Sequence, residues 1–305
     1  MKAGGRPDPA DITTLRNTLA DELLRAFGLP KTTWLQRTLL WLFHGLIEQF
    51  ARGGLTFDQI VAAQGLQPAA AWLLERFCTN YRACGLETIP SEGPLLLASN
   101  HPGSIDSLLI MASLSRPDLK LIANDIPFLQ CLPATSAHLI YSARTKDISK
   151  RMSAVRLAIS HLQSGGALAI MGTGLIDPDP EVYPDAAASL DQWSPSIELF
   201  LRQVPQTQVV VAILSGVLSP RWASHPITWL RKEPRRKRLL AEIGQVAEQA
   251  FFPRRRFLTP SITFSRPVCL SELQQPTHSS PVLPAVISRA KVLLARHLER
   301  VRNPY

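Results

Sequence analysis

The fold is decided by the stretch Leu95-Leu-Leu-Ala-Ser-Asn-His-Pro-Gly-Ser-Ile-Asp106. Residues 95–98 form a short apolar run that is typical of a buried strand. The Pro-Gly pair then predicts a turn, and the apolar segment 105–114 predicts a helix, for which Ser104 is a suitable N-cap. An imidazole and a carboxylate are therefore expected together at the C-terminal end of a strand, where open α/β sheets keep their binding crevices.

The spacing of His101 and Asp106 limits how the two side chains can meet. Five residues correspond to about 140° of rotation on a regular helix, so the pair cannot share one helical face. The side chains meet if His101 lies in the turn and Asp106 lies in the first turn of the helix. The carboxylate then fixes the imidazole tautomer and leaves the second ring nitrogen as a base. The alternative is an aspartate that caps a helix beside an unrelated surface histidine.

Length, composition and charge restrict the class of protein. A chain of 305 residues with 46% hydrophobic and 19% charged residues is globular, and it can hold one large α/β domain with a smaller attachment, or two modest domains. The net charge of +9 predicts an anionic partner, which can be nucleic acid, an acidic membrane surface or a phosphorylated substrate.

The cysteines and the apolar segments indicate a cytosolic setting. Cys78, Cys84, Cys131 and Cys269 form no CxxC pair, and we find no signal peptide, so reduced thiols are expected rather than disulfides or metal ligands. Cys78 and Cys84 fall in a segment that we expect to be helical. Residues 34–50 are the best candidate for a transmembrane helix, but charged residues interrupt them and they are too short. We therefore expect a soluble or peripheral protein.

Hydrophobic periodicity divides the chain into two parts. Residues 11–85 predict helices over 11–28, from Thr32 or Thr33 to 52, a short one after Phe57, and over 69–83; Gly53-Gly54 is expected to end the second. From residue 86, strands predicted at 95–99, 119–123, 138–142, 167–171, 209–214 and 262–264 alternate with helices at 105–114, 147–162 and 195–202. We predict an α/β fold with a mixed sheet flanked by helices on both faces, in which 1–85 is a helical N-terminal cap and 86–305 is the α/β domain with C-terminal helices.

The C-terminal part carries two basic runs, 231–238 and 254–256. The first leads into a helix that ends near residue 252. Aromatic residues that we expect to be exposed lie beside these runs, namely Trp222, Trp229, Phe251, Phe252 and Phe257. Interleaved aromatic and basic residues favour an anionic membrane surface, where each basic side chain contributes about 1 kcal/mol. A solvated face is the simpler alternative, and nucleic-acid binding lacks a recognised module.

Residues 86–219 resemble the glycerol-3-phosphate/1-acylglycerol-3-phosphate acyltransferase family. The family signature is Asn-His, four residues, Asp, which Asn100-His101 and Asp106 match. The run 138–144, which ends in Arg144, resembles the second block of the family, 164–173 resembles the strand entering the third, and 209–213 resembles the fourth.

The resemblance implies transfer of a fatty acyl group from acyl-CoA or acyl carrier protein to a hydroxyl of a lipid-like acceptor. His101 would take the hydroxyl proton and Asp106 would orient and stabilise the imidazolium, with no metal, cofactor or covalent acyl-enzyme. Backbone N–H groups near Gly103 or Gly172 are candidate oxyanion donors. The residues that we assign to substrate binding are Asn100, Gly103, Ser104, Arg144, Gly172 and Thr173.

The third block departs from the family pattern. The family reads Glu-Gly-Thr-Arg, whereas this chain reads Met171-Gly-Thr-Gly174, so the acidic and basic members that help hold the glycerol phosphate are absent. The following Asp177, Asp179 and Glu181 can supply a substitute carboxylate or can be solvated acids in a rigid proline turn. In the fourth block a valine replaces the usual proline.

These departures concern the acceptor more than the chemistry. Arg144 can bind the phosphate of an acceptor or pair with Asp147. Lysophosphatidic acid and glycerol-3-phosphate are the leading acceptors; a different hydroxyl, or a catalytically silent membrane-binding protein, is the alternative. We expect a cytoplasmic protein held peripherally on an anionic membrane, with no nucleic-acid partner.

Overall fold

The structure is a computed structural model that describes residues 11–27, 34–142, 148–252, 258–274 and 281–303. Within these ranges the chain forms seven strands: β1 (Arg82–Cys84), β2 (Leu95–Ser99), β3 (Lys120–Asn124), β4 (Leu139–Ser142), β5 (Ala167–Met171), β6 (Gln208–Ser215) and β7 (Ser261–Phe264). The longer helices are α1 (Ile12–Phe27), α2 (Trp34–Gln64), α3 (Leu66–Leu74), α4 (Asp106–Ser113), α7 (Ile148–Gln163), α9 (Ser196–Gln203), α11 (Pro234–Phe251) and α13 (Leu283–Arg302). The four-residue helices are α5 (Pro127–Gln130), α6 (Pro133–Ser136), α8 (Ala186–Ser189), α10 (Pro220–Ala223) and α12 (Leu270–Leu273). Short 3₁₀ helices cover Leu86–Thr88, Leu190–Gln192 and Pro226–Leu230.

The strands form one mixed sheet in the order β1-β7-β6-β2-β5-β3-β4. The pairs from β6 to β4 are parallel, whereas β7 runs antiparallel to β6. The central strand β2 is buried along its whole length, so the turn that follows it opens at the carboxyl edge between β5 and β6. The predicted mixed α/β sheet is confirmed.

Helices cover both faces of this sheet. Side chains of β2 alternate between the faces, because Leu95 and Leu97 join an apolar cluster with α2, α3 and α4, whereas Leu96 and Ala98 join a second one with α7, α9 and α13. Each fully buried leucine stabilises the fold by about 2 kcal/mol, because its apolar surface is removed from water. The two clusters bury β2 between the helices of both faces.

Two helix predictions are wrong in the N-terminal part. Residues 53–54 do not end a helix, because α2 continues through both glycines to Gln64. A methyl group added at Gly54 would overlap the ring of Phe128, so this glycine allows a neighbouring element to approach the helix closely. The helix predicted over 69–83 ends at Leu74, and residues 82–84, including Cys84, form the edge strand β1 that pairs with β7.

Helix α11 packs on the domain through an unusually polar face. Gln245 accepts a hydrogen bond from the N–H of Ser219 and donates one to the carbonyl of Val217. Gln249 donates to the carbonyl of Phe77. These polar side chains lie on the face of α11 that packs on the domain, where apolar side chains are usual. Across the ranges described above, no helix is long and apolar enough to span a membrane.

Candidate active site

The turn after β2 brings His101 and Asp106 into contact. The Nδ1 atom of His101 lies 2.6 Å from Oδ2 of Asp106, and the N–H of Gly103 donates to the same oxygen at 3.1 Å. Asp106 is the first residue of α4, and His101 lies in the turn, which is the arrangement that allows the two side chains to meet. The prediction that Ser104 is the N-cap is wrong, because Ile105 holds that position and the Ser104 hydroxyl donates to Glu242 instead.

The electrostatics of the pair favour a charged imidazole. Asp106 is fully buried, whereas the side chain of His101 is 23% exposed. Burial lowers the pKa of His101, but the charge and hydrogen bond of Asp106, followed by the charges of Glu242 and Asp177, raise it to about 9. Nε2 of His101 has no hydrogen-bond partner in the part of the chain that the structure describes. It is therefore the ring atom that can exchange a proton with a bound molecule.

Asn100 belongs to the framework of the site. Its Nδ2 donates to the carbonyl of Leu214 at 2.9 Å, and its Oδ1 accepts from the N–H of the same residue at 2.8 Å. The side chain is buried, and it joins the end of β2 to β6. These two hydrogen bonds hold the strand that carries His101, and substrate binding by Asn100 stays a prediction.

The two glycines predicted near an oxyanion use their N–H groups inside the protein. Gly103 donates to Asp106, and Gly172 donates to the carbonyl of Ser99 at 2.7 Å. A methyl group at Gly172 would overlap the indole of Trp193, so this position needs glycine for close packing. Neither N–H is available to an oxyanion in this arrangement.

Thr173 and Asp177 form the wall beside His101. Asp177 accepts from the His101 N–H at 2.9 Å and from the Thr173 hydroxyl at 2.9 Å, and its own N–H donates to the His101 carbonyl at 2.7 Å. Burial raises the pKa of Asp177 to about 6, although these hydrogen bonds and the His101 charge lower it. Asp177 therefore fixes the backbone of the residue whose ring is the candidate base.

The other two acids that follow the third block have different partners. Asp179 is fully buried and accepts the N–H groups of Val217 and Leu218 at 2.9 and 3.0 Å. Glu181 accepts from the hydroxyl of Ser215 at 2.5 Å. The alternative of solvated acids in a proline turn is wrong for Asp177 and Asp179, and Asp177 alone of the three contacts His101 directly.

Glu242 is a buried carboxylate beside the site that the sequence prediction missed. It lies on α11 and accepts from the hydroxyl of Ser104, and its Oε1 would be 3.1 Å from a Cβ atom built on Gly103. Burial raises the pKa of Glu242 to about 7, while Ser104 and the His101 charge lower it. The available signal was the helical spacing of Glu242, Gln245 and Gln249, which places three polar residues on one buried face.

A cleft of about 350 Å³ adjoins this wall. It is bounded on one side by Ile176 and Asp177, and on the other by Glu233, Arg235 and Arg238 from the start of α11. Within the described ranges, no group of three or more His, Cys, Asp or Glu side chains is arranged to hold a metal ion.

Several predicted positions lie outside the described residues. Arg144 and the neighbouring Asp147 are among them, as are the second basic run 254–256 and Phe257. The prediction of exposed aromatic residues is confirmed for Trp229, Phe251 and Phe252, whereas Trp222 is half-buried and donates its indole N–H to Glu248 at 2.6 Å.

Comparison with solved structures matches the chain to the crystal structure of the 1-acyl-sn-glycerophosphate (LPA) acyltransferase PlsC from Thermotoga maritima. The TM-score is 0.46 and the sequence identity is 14%, and the alignment covers 96% of this chain and 98% of that chain. No protein-family model matches the sequence, and no curated protein matches it.

Proposed function

We propose that the protein transfers an acyl group from a thioester to a hydroxyl of a lipid-like acceptor, with His101 as the general base. The observation that carries this proposal is the 2.6 Å contact between His101 Nδ1 and Asp106 Oδ2. The Asp106 carboxylate accepts a hydrogen bond from Nδ1–H of His101. The lone pair of the neutral ring therefore lies on the partly exposed Nε2. The sequence resemblance supports a thioester donor, because the matched Asn-His and Asp are the residues that the family uses.

The reaction needs only one proton carrier. Nε2 of His101 takes the hydroxyl proton while the hydroxyl oxygen attacks the thioester carbonyl carbon, and a C–O bond forms. The tetrahedral intermediate then collapses, the C–S bond breaks, and the imidazolium returns its proton to the departing thiolate sulfur. Asp106 stabilises the imidazolium throughout. The protein is unchanged at the end, and the products are an ester and a free thiol.

Two features of the sequence bear on the identity of the acceptor. The resemblance favours lysophosphatidic acid or glycerol-3-phosphate, whereas the absence of the family's acidic and basic residues from Met171-Gly-Thr-Gly174 favours a different hydroxyl compound. Asp177 supplies a carboxyl group at the same edge, but its oxygens are engaged by His101 and Thr173.

The experiment is a thiol-release assay with acyl-CoA and acyl carrier protein donors against a panel of acceptors. The panel contains lysophosphatidic acid, glycerol-3-phosphate, other lysophospholipids and neutral long-chain alcohols. We expect thiol release that depends on the acceptor and equals the amount of ester found by mass spectrometry. Release at the same rate without acceptor would mean thioester hydrolysis. The absence of release with every pair would favour a catalytically silent membrane-binding protein.

An exposed apolar surface beside the cleft, followed by basic residues, supports the choice of a lipid acceptor. Trp229 and Leu230 are each 74% exposed at the end of a 3₁₀ helix, and the basic run 231–238 follows immediately. Large exposed apolar side chains rimmed by basic residues are typical of surfaces that bind anionic lipid. Glu233 and Arg235 of the same segment line the cleft, so a lipid held at this surface lies near Asp177.

Vesicle sedimentation tests this surface. We expect the protein to sediment with vesicles that contain phosphatidylglycerol, in a salt-sensitive manner, and not with pure phosphatidylcholine vesicles. Replacing Trp229 and Leu230 together by alanine should weaken binding about tenfold or more. The matched control replaces Trp41 and Leu42 of α2, which are also exposed. If only the control pair weakens binding, the membrane surface lies on α2.

A further inference from the structure

We propose that Glu242 is a positioning residue for His101: its carboxylate holds Ser104 in the turn between the two members of the pair, and its negative charge favours the imidazolium form. The proposal rests on the proposed function for its meaning in catalysis. Its structural basis is independent of that function. Glu242 comes from α11, far along the chain from the strand-turn-helix segment that carries the pair.

The contacts place Glu242 directly against that turn. The Ser104 hydroxyl donates to Oε1 of Glu242, and the same oxygen packs over the α-carbon of Gly103. Gly103 in turn donates its N–H to Asp106, the partner of His101. A movement of the Glu242 side chain is therefore transmitted through Ser104 and Gly103 to the carboxylate that orients the imidazole.

The charge of Glu242 acts on the pair through a buried environment. Among the described residues, three acidic groups act on His101, namely Asp106 from α4, Asp177 from the loop after β5, and Glu242 from α11. Within the described ranges, the charges that act on Glu242 include those of His101 and Asp106, while Arg238 on the same helix pairs with Asp185 at 3.2 Å. Glu242 is almost completely buried, so its interaction with the imidazolium is only weakly screened by water.

Glu242 carries its negative charge in the pH range in which His101 titrates. Burial raises the pKa of Glu242 to about 7, so near pH 9 this carboxylate is ionised. Removing its charge there lowers the pKa of His101 and increases the neutral, base-competent fraction at neutral pH. A purely structural glutamate would leave the titration of His101 unchanged.

The test is an NMR titration of His101 with labelled histidine in the wild-type protein and in Glu242→Gln, assigned by the His101→Ala spectrum. The glutamine keeps the shape and an oxygen that can accept from Ser104. We expect the titration midpoint of His101 to fall by at least about half a pH unit, which is about threefold in the neutral fraction at fixed pH. In the thiol-release assay, the acid limb of kcat/KM should move by the same amount.

Two further variants separate charge from position. Glu248→Gln removes the charge of another glutamate of α11, which binds Arg221 and Trp222, and should leave the His101 midpoint in place. Ser104→Ala keeps the charge of Glu242 but breaks the positioning contact, so it should lower kcat without moving the midpoint.

The inference about Glu242 and the proposed function fail on different results. An unchanged His101 midpoint in folded Glu242→Gln overturns the inference, even if the wild-type protein is active. Absence of wild-type turnover overturns the proposed function, while the NMR titration still decides whether Glu242 and His101 are coupled. If Glu242→Gln does not fold, Glu242→Asp, which keeps the charge, must retain the wild-type midpoint with a lower kcat; a moved midpoint there also overturns the inference.

Discussion

Two histidines, the partly exposed His101 in the turn after β2 and the buried His297 of α13, have chemically different hydrogen-bond partners. His101 contacts a carboxylate, and its pKa is raised to about 9. His297 of α13 lies between the hydroxyls of Ser215 at 2.7 Å and Thr263 at 2.8 Å, and burial, followed by the charge of Arg300, lowers its pKa to about 4. The partner of a buried imidazole therefore decides which form of the ring the protein stabilises.

The tautomer of His297 follows from its neighbours. The hydroxyl of Ser215 donates its proton to Glu181, so its oxygen accepts from the Nε2–H of His297. Nδ1 then accepts from the hydroxyl of Thr263. Both ring nitrogens are engaged by β6 and β7, and no atom of the ring is left for a substrate. His297 holds α13 on the sheet, whereas His101 keeps one nitrogen at the carboxyl edge.

Replacing each histidine by alanine gives the largest expected contrast. His101→Ala removes the base and should reduce acceptor-dependent thiol release by about 10²- to 10⁴-fold. His297→Ala should leave the rate per folded molecule within about threefold and lower the free energy of unfolding by about 2 kcal/mol or more. Thiol release and urea denaturation measure the two effects. Equal loss of turnover in both folded variants would contradict the distinction.

Replacing the partners instead of the rings sharpens the comparison. Asp106→Asn removes the charge that favours the imidazolium and should reduce turnover about tenfold to a hundredfold, with a lower pKa of His101. Thr263→Val removes a neutral partner of His297 and should cost about 1–3 kcal/mol of unfolding free energy with little change in turnover. Wild-type turnover in Asp106→Asn would remove the carboxylate from the mechanism.

The net pH dependence of stability is expected to be smaller than the contribution of His297 alone, because other groups partly offset it. The pKa of His297 is about 4 in the folded protein, below the ordinary value of 6.5, so the unfolded chain binds the proton more readily. The contribution of His297 to the free energy of unfolding is complete above about pH 6.5. As the pH falls toward 4, roughly 3 kcal/mol of it is lost. Asp177 and Asp179, whose pKa values are raised to about 6, act in the opposite direction over this window.

Comparison with His297→Gln isolates the histidine contribution. Urea denaturation at a series of pH values should show that the stability difference between wild type and this variant shrinks from pH 7 to pH 4. A difference that is independent of pH would mean that His297 is not held neutral.

Local patterns predicted the segment from β2 to α4, because its strand, turn and helix signals lie within twelve neighbouring residues. The prediction failed where distant contacts decide the structure. Gly54 is needed inside α2 for the close approach of Phe128, and β1 requires β7 as its partner. These requirements leave no signal in the segments themselves.

The candidate site shows the same limit. The meeting of His101 and Asp106 could be predicted from spacing, since both belong to one short segment. Glu242 reaches Ser104 from 138 residues away, and the role of Asn100 as a bridge to Leu214 spans 114 residues. Local sequence patterns do not indicate which of such distant residues come into contact.

The most direct test of His101 as the base compares two pH profiles on the wild-type protein. One is the NMR titration of the His101 ring, and the other is kcat/KM for acceptor-dependent thiol release. Because the neutral ring is the base and its pKa is about 9, kcat/KM should rise about tenfold per pH unit from pH 6 to 8 and reach half its limit at the NMR midpoint. A kinetic midpoint more than about one unit from the NMR midpoint, or turnover that falls as His101 loses its proton, would contradict the proposal.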